Sequence, residues 1–556
     1  MNDRGFCCSH IGKPSGPKGI YMDQYDGVKG DCVPFVGVEG ATPLPTRRVQ
    51  GAQHPGRGVG DCVPHKVMLL LCKETWYHKR EGVMNMDMPA KQKMAILYSA
   101  YETPLQKKAV ALLTEFLMEF TYEMPVCLPV GSDAHAFRTV RVGTVDRDPD
   151  LAALMGADKE NMHPEGFKLL VKDGQSYILG GSDLGAVYGC VDYYNRYLIH
   201  RFYPHDGDYF FFPFAGWHWD DFAYESKPMI RDRGVWTWGH VIYDYRGFID
   251  HMVLMKMNTL ILWNDVAPLN LKDVVDYAHD NGVKVFFGFA WMWETRCAEA
   301  DILNADKYIP GILEKYEKEY LPLGGDGIYF QSFTELETED IGGVLIADAV
   351  TQFVNKACAA FYEKYPDLTI QFGLHATSVK NRLEYIRKVD KRVHILWENC
   401  GAFPFDYLPS YVEGYKGTCD FAQELAVLRG MDDRFGAVTK GLTKLDWSEF
   451  EHIPGQVVMG EGSAHFHHNR IQRKKPIWRY LLAYWLVNGD KAKHMLQKLC
   501  DLKGDQMTVT ALIEDGMLEK QIMFPAALYG EMLWDPNQDL KELMADVAQR
   551  NYVHFE

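Results

Sequence analysis

The chain is short of cysteine, of long apolar runs and of basic charge, and each shortage removes a class of function. Twelve cysteines in 556 residues are too sparse for a disulfide framework. The paired short spacings of a zinc site are also missing. Cys127, Cys190 and Cys358 fall in segments expected in the core, where a thiol behaves as a small hydrophobe. No segment stays apolar for the ~20 residues that a membrane-spanning helix needs. Met1 to Cys8 lack the apolar stretch of a secretory signal, so the expectation is a cytoplasmic protein with no membrane partner. A formal charge of −16 leaves no basic footprint for displacing counterions from nucleic acid. The one short basic run, Arg470 to Lys475, reads as the solvated start of a helix. A Walker-type glycine loop and a Gly-x-Ser-x-Gly elbow are both missing, and neither a cofactor nor a metal is expected.

What the chain does have is apolar and aromatic content. Hydrophobic residues make up 47% and charged residues 24%, a globular composition with ample material for a large core. Aromatics reach 13%, with 13 Trp and 31 Tyr. Packing accounts for part of that excess. It does not account for Trp217, Trp219, Trp236, Trp238, Trp263, Trp291 and Trp293 crowding one stretch, where flat rings suit the C–H faces of sugars.

Length alone predicts one large domain with attachments. Residues 1–65 are rich in Gly and Pro and repeat Gly30-Asp-Cys-Val-Pro34 as Gly60-Asp-Cys-Val-Pro64, two copies being too few for a stacked solenoid. We read them as an irregular extension, which together with the size of the chain allows a homodimer. Residues 66–225 alternate between strand and helix patterns: strands at Val67–Cys72 and Met94–Tyr98, a helix from Pro104 to Phe120, a hairpin around Asp173-Gly174 and a helix opened by Gly180 to Asp183. The pattern predicts a small α+β domain.

Residues 226–470 carry the main organisational signal. Apolar runs at Gly234–Trp238, Thr259–Trp263, Lys284–Phe289, Gly327–Gln331, Thr369–Gly373, Val393–Trp397, Phe435–Thr439 and Gln456–Met459 are separated by amphipathic stretches at 248–257, 271–281, 344–365 and 378–389. Eight strand–helix units predict an α/β fold, a closed (β/α)8 TIM barrel. Residues 471–556, with amphipathic runs at 478–487, 492–499 and 540–547, are expected to form a helical C-terminal region that buttresses it.

A barrel of this kind holds its chemistry just past the C-terminal ends of its strands. The residues there are Asn264-Asp265, Glu294, Thr334-Glu335, His375, Glu398-Asn399, Lys440 and Glu461. Glycosidic cleavage uses a carboxylic acid that protonates the leaving oxygen and a second carboxylate as nucleophile or base. A rim of acids and tryptophans meets that demand. For each acid the alternative is an ordinary loop or helix-capping residue. Glu335, delivered to the rim by Gly327–Gln331, is the first candidate for a catalytic carboxylate. Glu398, and after it Asp265, is the candidate base or nucleophile. Trp236, Trp263, Asn264, Trp291, Glu294, His375, Asn399 and Glu461 are candidate substrate contacts. Lys440 fits a substrate carboxylate or a structural salt bridge equally well. Ala464-His-Phe-His-His468 has the residues of a metal site without a matching carboxylate, and reads as a polar rim or interface.

Arg231-Asp-Arg-Gly-Val-Trp236, followed by Ile249 to Trp263, resembles the first two barrel units of the family 20 β-N-acetylhexosaminidases. Gly181-Ser-Asp-Leu-Gly-Ala-Val-Tyr-Gly189 is similar to the helix-opening segment of the small domain that those enzymes share with the family 67 α-glucuronidases. The similar stretches cover roughly residues 93–265. The resemblance implies that Arg233 matches a first-strand arginine binding sugar hydroxyls and that Glu335 matches the general acid after the fourth strand. Thr334 stands where hexosaminidases place an Asp that orients the acetamido group. Ser332-Phe-Thr-Glu335 is at least as similar to the α-glucuronidase pattern, in which a Ser precedes the acid and an inverting mechanism uses a second carboxylate.

These readings converge on an exo-acting glycoside hydrolase that removes a terminal hexosaminide or uronide from an oligosaccharide or glycoside. The alternatives are a carbohydrate-binding protein without turnover on the same fold, or a uronide lyase.

Overall fold

Alternating apolar strands and amphipathic helices build two α/β units in the computed structural model. It describes residues 93–556 except 122, 200–218, 240, 265, 290, 292–300, 333–338, 376–380, 400–413, 445–454, 461 and 556. The extension expected at 1–65 and the strand expected at 67–72 lie outside the described residues.

The first unit is a six-stranded sheet containing β1 (Met94–Tyr98), β2 (Val126–Pro129), β3 (Arg138–Thr144), β4 (Phe167–Lys172), β5 (Gln175–Gly180) and β6 (Phe222–Ser226), in the order β2-β1-β3-β5-β4-β6. Helix α1 (Pro104–Thr121) buries Ala109, Leu112, Leu113, Phe116, Leu117 and Phe120 on one face, as its 3.6-residue periodicity predicts. The β4–β5 hairpin turns on Asp173 and Gly174, both with positive φ (51° and 74°), the pair that a two-residue type I′ turn requires. Ser182 caps α2 (Asp183–Asp192) by accepting a hydrogen bond from the Gly185 N–H.

The second unit is the expected (β/α)8 barrel. Its strands are β7 (Asp232–Trp236), β8 (Thr259–Trp263), β9 (Lys284–Gly288), β10 (Gly327–Phe330), β11 (Thr369–His375), β12 (His394–Glu398), β13 (Phe435–Leu442) and β14 (Met507–Ile513), closed in the order β10-β11-β12-β13-β14-β7-β8-β9. Every pair is parallel. Side chains alternate along each strand. Val235, Leu260, Val285, Ile328, Ile395 and Val509 join the outer core shared with the helices. Trp236, Ile261, Trp263, Phe286, Tyr329, Leu396, Val438 and Leu512 fill the lumen. The helices include α3 (Tyr245–Leu254), α4 (Leu271–Asp280), α5 (Ile346–Lys364), α6 (Gly414–Val427), α7 (Ala464–Lys503), α8 (Phe524–Trp534) and α9 (Leu540–Ala548).

The structure corrects the expected end of the barrel. Gln456–Met459 forms no strand. Strand eight is Met507–Ile513, which pairs with β13 on one side and with β7 on the other. The runs at 478–487 and 492–499, expected as separate helices, lie within the single 40-residue α7, roughly 60 Å long at helical rise. The region expected to be a helical buttress therefore supplies the strand that closes the barrel. The basic run is not solvated throughout either: Arg470 and Lys474 are buried. Between β11 and β12, where 378–389 was expected to be helical, the described helix is Leu383–Ile386. Cys190 and Cys358 are buried as expected, whereas Cys127 is exposed. Among the described residues no helix is long and apolar enough to cross a membrane.

A buried charge network joins the two units. Lys256, just past α3, places its Nζ 2.7 Å from Asp192 of α2 and 2.8 Å from Glu531 of α8. Arg550 meets Glu531 at 2.9 Å, and Arg196 meets Asp192 at 3.2 Å. Burial raises the free energy of the charged Glu531, but Lys256, Arg550 and Arg196 together outweigh that and hold its carboxyl well below the ordinary range. Removing one member strands its partners as uncompensated charges in a low dielectric. Lys256→Met is expected to cost about 3–5 kcal/mol of stability, read as a lowered midpoint in urea unfolding. An unchanged midpoint would mean that the network contributes nothing to stability.

Candidate active site

The inward positions at the C-terminal ends of β10, β12 and β13 are polar where the layer beneath is apolar. Glu398, the last residue of β12, is 1% exposed. Its Oε1 accepts a hydrogen bond from the Tyr329 hydroxyl of β10 at 2.5 Å, and another from Gln331 Nε2 two residues further along the same chain. Its Oε2 accepts from Lys440 Nζ of β13 at 2.9 Å. Burial and the neighbouring carboxylate push the Tyr329 phenol well above its usual range, so it stays protonated and serves as a donor. Asn399 accepts from the Lys440 backbone N–H at 3.0 Å, which ties the ends of β12 and β13 together.

Tyr329 and Glu398 belong to strands four and six, and strand five runs between them. Gly373 of β11 makes their contact possible. A Cβ at that position would overlap the Tyr329 hydroxyl and lie 2.9 Å from Glu398 Oε1. Gly288 does the same for Trp263, whose ring would be 2.7 Å from an added Cβ. The space left by these glycines is taken by aromatic rings. Trp236 and Trp238 have centroids 5.2 Å apart, Trp238 stacks on Trp263 at 5.0 Å, and Trp263 meets Tyr329 edge-on at 6.0 Å. Lys440 Nζ lies 4.0 Å from the Trp236 ring centroid, within cation–π range. Trp236 and Trp263 are buried in this cup and Trp238 is half-buried.

The end of β13 is irregular, with its register to β14 shifting between Thr439 and Leu442. Bulges of this kind re-aim side chains. The carbonyl of Gly441 accepts a hydrogen bond from the indole N–H of Trp485 in α7 at 2.8 Å. On one side of the bulge Lys440 reaches Glu398. Beyond it Thr443 donates to Glu514, the residue after β14, at 3.1 Å. Lys474 of α7 lies 2.7 Å from Glu514 and 3.2 Å from Asp515. Burial pushes the Glu514 carboxyl up from its ordinary value, with Lys474 opposing.

Of the residues singled out in the sequence, the structure brings together Glu398, Asn399, Lys440, Trp236 and Trp263. Asn264 follows β8 and is half-buried. His375 ends β11 in register with Glu398. Glu335, Asp265, Glu294 and Glu461 lie outside the described residues. Two expected contacts sit elsewhere. Arg233 is the second residue of β7, at the N-terminal end of the barrel, and bonds to the carbonyls of Ile230, Arg231 and Lys256 and to Glu165. It pins the barrel floor, and the structure does not bring it to the rim. Trp291 lies on the outer face, stacked between Phe330 at 3.7 Å and Phe361 at 5.4 Å. Its burial between strand and helix leaves no face for a ligand.

No protein-family model matches this chain. No curated protein matches it either. Many solved structures align with it, two of them at low identity as follows. One is described as a GH138 enzyme targeting pectin rhamnogalacturonan II, at 12% identity over 81% of this chain and 65% of that one, with a TM-score of 0.46. The chain thus spans just under two thirds of that enzyme. The other is described as CpGH84B, at 11% identity over 82% of this chain and 70% of that one, also with a TM-score of 0.46. Among the described residues no group of His, Cys, Asp and Glu is placed to hold a metal ion. His465, His467 and His468 stand in the first turns of α7, with His467 buried and 3.7 Å from Glu519.

Tyr329, Gln331 and Gly373 were missed in the sequence. Their signal is the alternation Gly327, Tyr329, Gln331, which puts two polar groups on the lumen side of an apolar strand. Gly373→Ala is expected to break the Tyr329–Glu398 bond and to cost about 1–3 kcal/mol through overpacking. A thermal unfolding transition indistinguishable from the parent's would show that the lumen has room that the geometry denies.

Proposed function

We propose that the chain is a glycoside hydrolase whose anionic carboxylate is Glu398 and whose proton donor is Glu335. The observation that carries this reading is the position of Glu398, a carboxylate held by three donors at the C-terminal end of a barrel strand beside a tryptophan cup. Barrel enzymes work at that end, and carboxylates work on glycosides in pairs. Gln331 supports the choice of partner, because it hydrogen-bonds Glu398 and stands four residues before Glu335 in the chain. In the proposed reaction Glu335 gives its proton to the leaving oxygen as the glycosidic C–O bond breaks. Glu398 either takes a proton from the water that attacks the anomeric carbon or bonds that carbon itself, with water later displacing it. The substrate class is a terminal hexosaminide or uronide.

The burial of Glu398 also fits a second reading, in which the carboxylate is structural and the barrel binds carbohydrate without cleaving it. A panel of aryl N-acetylhexosaminides and aryl uronides separates the two. The hydrolase reading expects release of the aglycone and its loss, by about 10²-fold or more, in Glu398→Gln. It further expects that Glu335→Gln impairs natural glycosides more than aryl glycosides, because a good leaving group needs little protonation. Binding with no aglycone released from any member of the panel would overturn it, and equal activity of Glu335→Gln on both substrate types would remove Glu335 from the mechanism.

A further inference from the structure

We infer that Lys440 is a positioning residue that keeps Glu398 ionised in the resting protein, so that this carboxylate meets the substrate as an anion. The inference deepens the hydrolase reading and rests on it for its functional meaning, though not for its test. Three observations carry it. First, the Lys440 and Glu398 side chains are 3% and 2% exposed and 2.9 Å apart, so water does little to screen their attraction. Second, the ammonium also lies over the Trp236 face at 4.0 Å, a cation–π contact that holds it in place beside Glu398. Third, Lys440 on Oε2 and the Gln331 amide nitrogen and Tyr329 hydroxyl on Oε1 all donate to the carboxylate, and hydrogen bonds donated to the charged form favour it.

Lys440 stands two residues past Val438 of the lumen, so strand alternation turns it inward, and Trp485 of α7 holds the next residue through the Gly441 carbonyl. Of the two proposed acids, one has a lysine built against it, which leaves proton donation to the other.

The test is an infrared pH titration of the full-length protein, with the Glu398 carboxyl band assigned by its disappearance in Glu398→Gln. In the parent and in Lys440→Arg the band should remain that of a carboxylate throughout the range in which the protein stays folded by circular dichroism. In Lys440→Met it should change to the protonated acid with a midpoint raised by about 1–3 pH units, the effect of losing one close opposite charge. Should the methionine variant not fold, Lys440→Gln, which keeps a donor and drops the charge, is expected to show the same upward shift. A midpoint that does not move when the charge is removed would overturn the inference. This readout needs no substrate, so a failed aryl glycoside panel would sink the hydrolase reading and leave the ionisation result standing. With an active protein, the acid limb of kcat/KM in the charge-removed variant should move upward by the same interval, with KM changed less than kcat.

Discussion

A closed parallel barrel has to fill its own lumen from every second residue of eight strands, and the site described above follows from how this chain solves that problem. Large rings occupy the middle of the lumen, and they fit because the strands beside them carry glycine at the same level. Gly288 makes room for Trp263, and Gly373 makes room for Tyr329. The second exchange also reaches the rim. With no side chain on strand five, the Tyr329 hydroxyl crosses to Glu398 on strand six. A packing requirement thus sets the position of the carboxylate. The polar layer rests on an aromatic floor, which excludes water and strengthens every interaction above it.

That exclusion has a cost, since an unpaired charge in such surroundings is strongly unfavourable. Among the described residues, each buried acid is met by a cation. Glu398 faces Lys440, Glu514 and Asp515 face Lys474, and Asp192 and Glu531 face Lys256 with two arginines. Lys440, Lys474 and Lys256 each come from a different element than the acids they face, so these pairs also fix where elements sit. Lys474 belongs to α7 and its partners follow β14, which locks the long helix to the strand it precedes. Among the described residues the buried acids and bases are close to balance.

Much of the barrel could be read from the sequence, and the places where that reading stops have physical causes. Strands such as Thr259-Leu-Ile-Leu-Trp263 are apolar on both faces, one turned to the lumen and one to the helices, so a short continuous apolar run marks them clearly. Strand eight, Met507-Thr-Val-Thr-Ala-Leu-Ile513, alternates threonine with aliphatic residues and follows a helix of 40 residues. Its period is right for a strand, but its distance from strand seven exceeds any ordinary repeat of the fold, and Gln456–Met459 stood in its place. Arg233 was misplaced for a different reason. Proximity to a strand does not reveal which end of the strand a residue occupies, and Arg233 stands at the beginning of one. Glu398 and Lys440 were legible as polar residues ending apolar runs. Their contact was not, because it depends on which residues of β12 and β13 stand side by side in the sheet, which no local pattern announces.

The two ends of the barrel divide the work. At the N-terminal end Arg233, Asn258 and Glu165 form a closed set of bonds in which guanidinium and amide donors are spent on backbone carbonyls and on one carboxylate. Such a set rigidifies and offers a ligand nothing. At the C-terminal end the donors are spent on side-chain carboxylates, at the ends of strands whose continuing loops carry the remaining candidate acids. A bond from lysine to a carbonyl fixes the backbone alone, whereas a bond from lysine to a carboxylate also fixes a protonation state. The fold therefore places its conformational locks on the floor and its charge-setting contacts at the rim, and strand seven, bulged and braced by Trp485, is the element through which that charge is set.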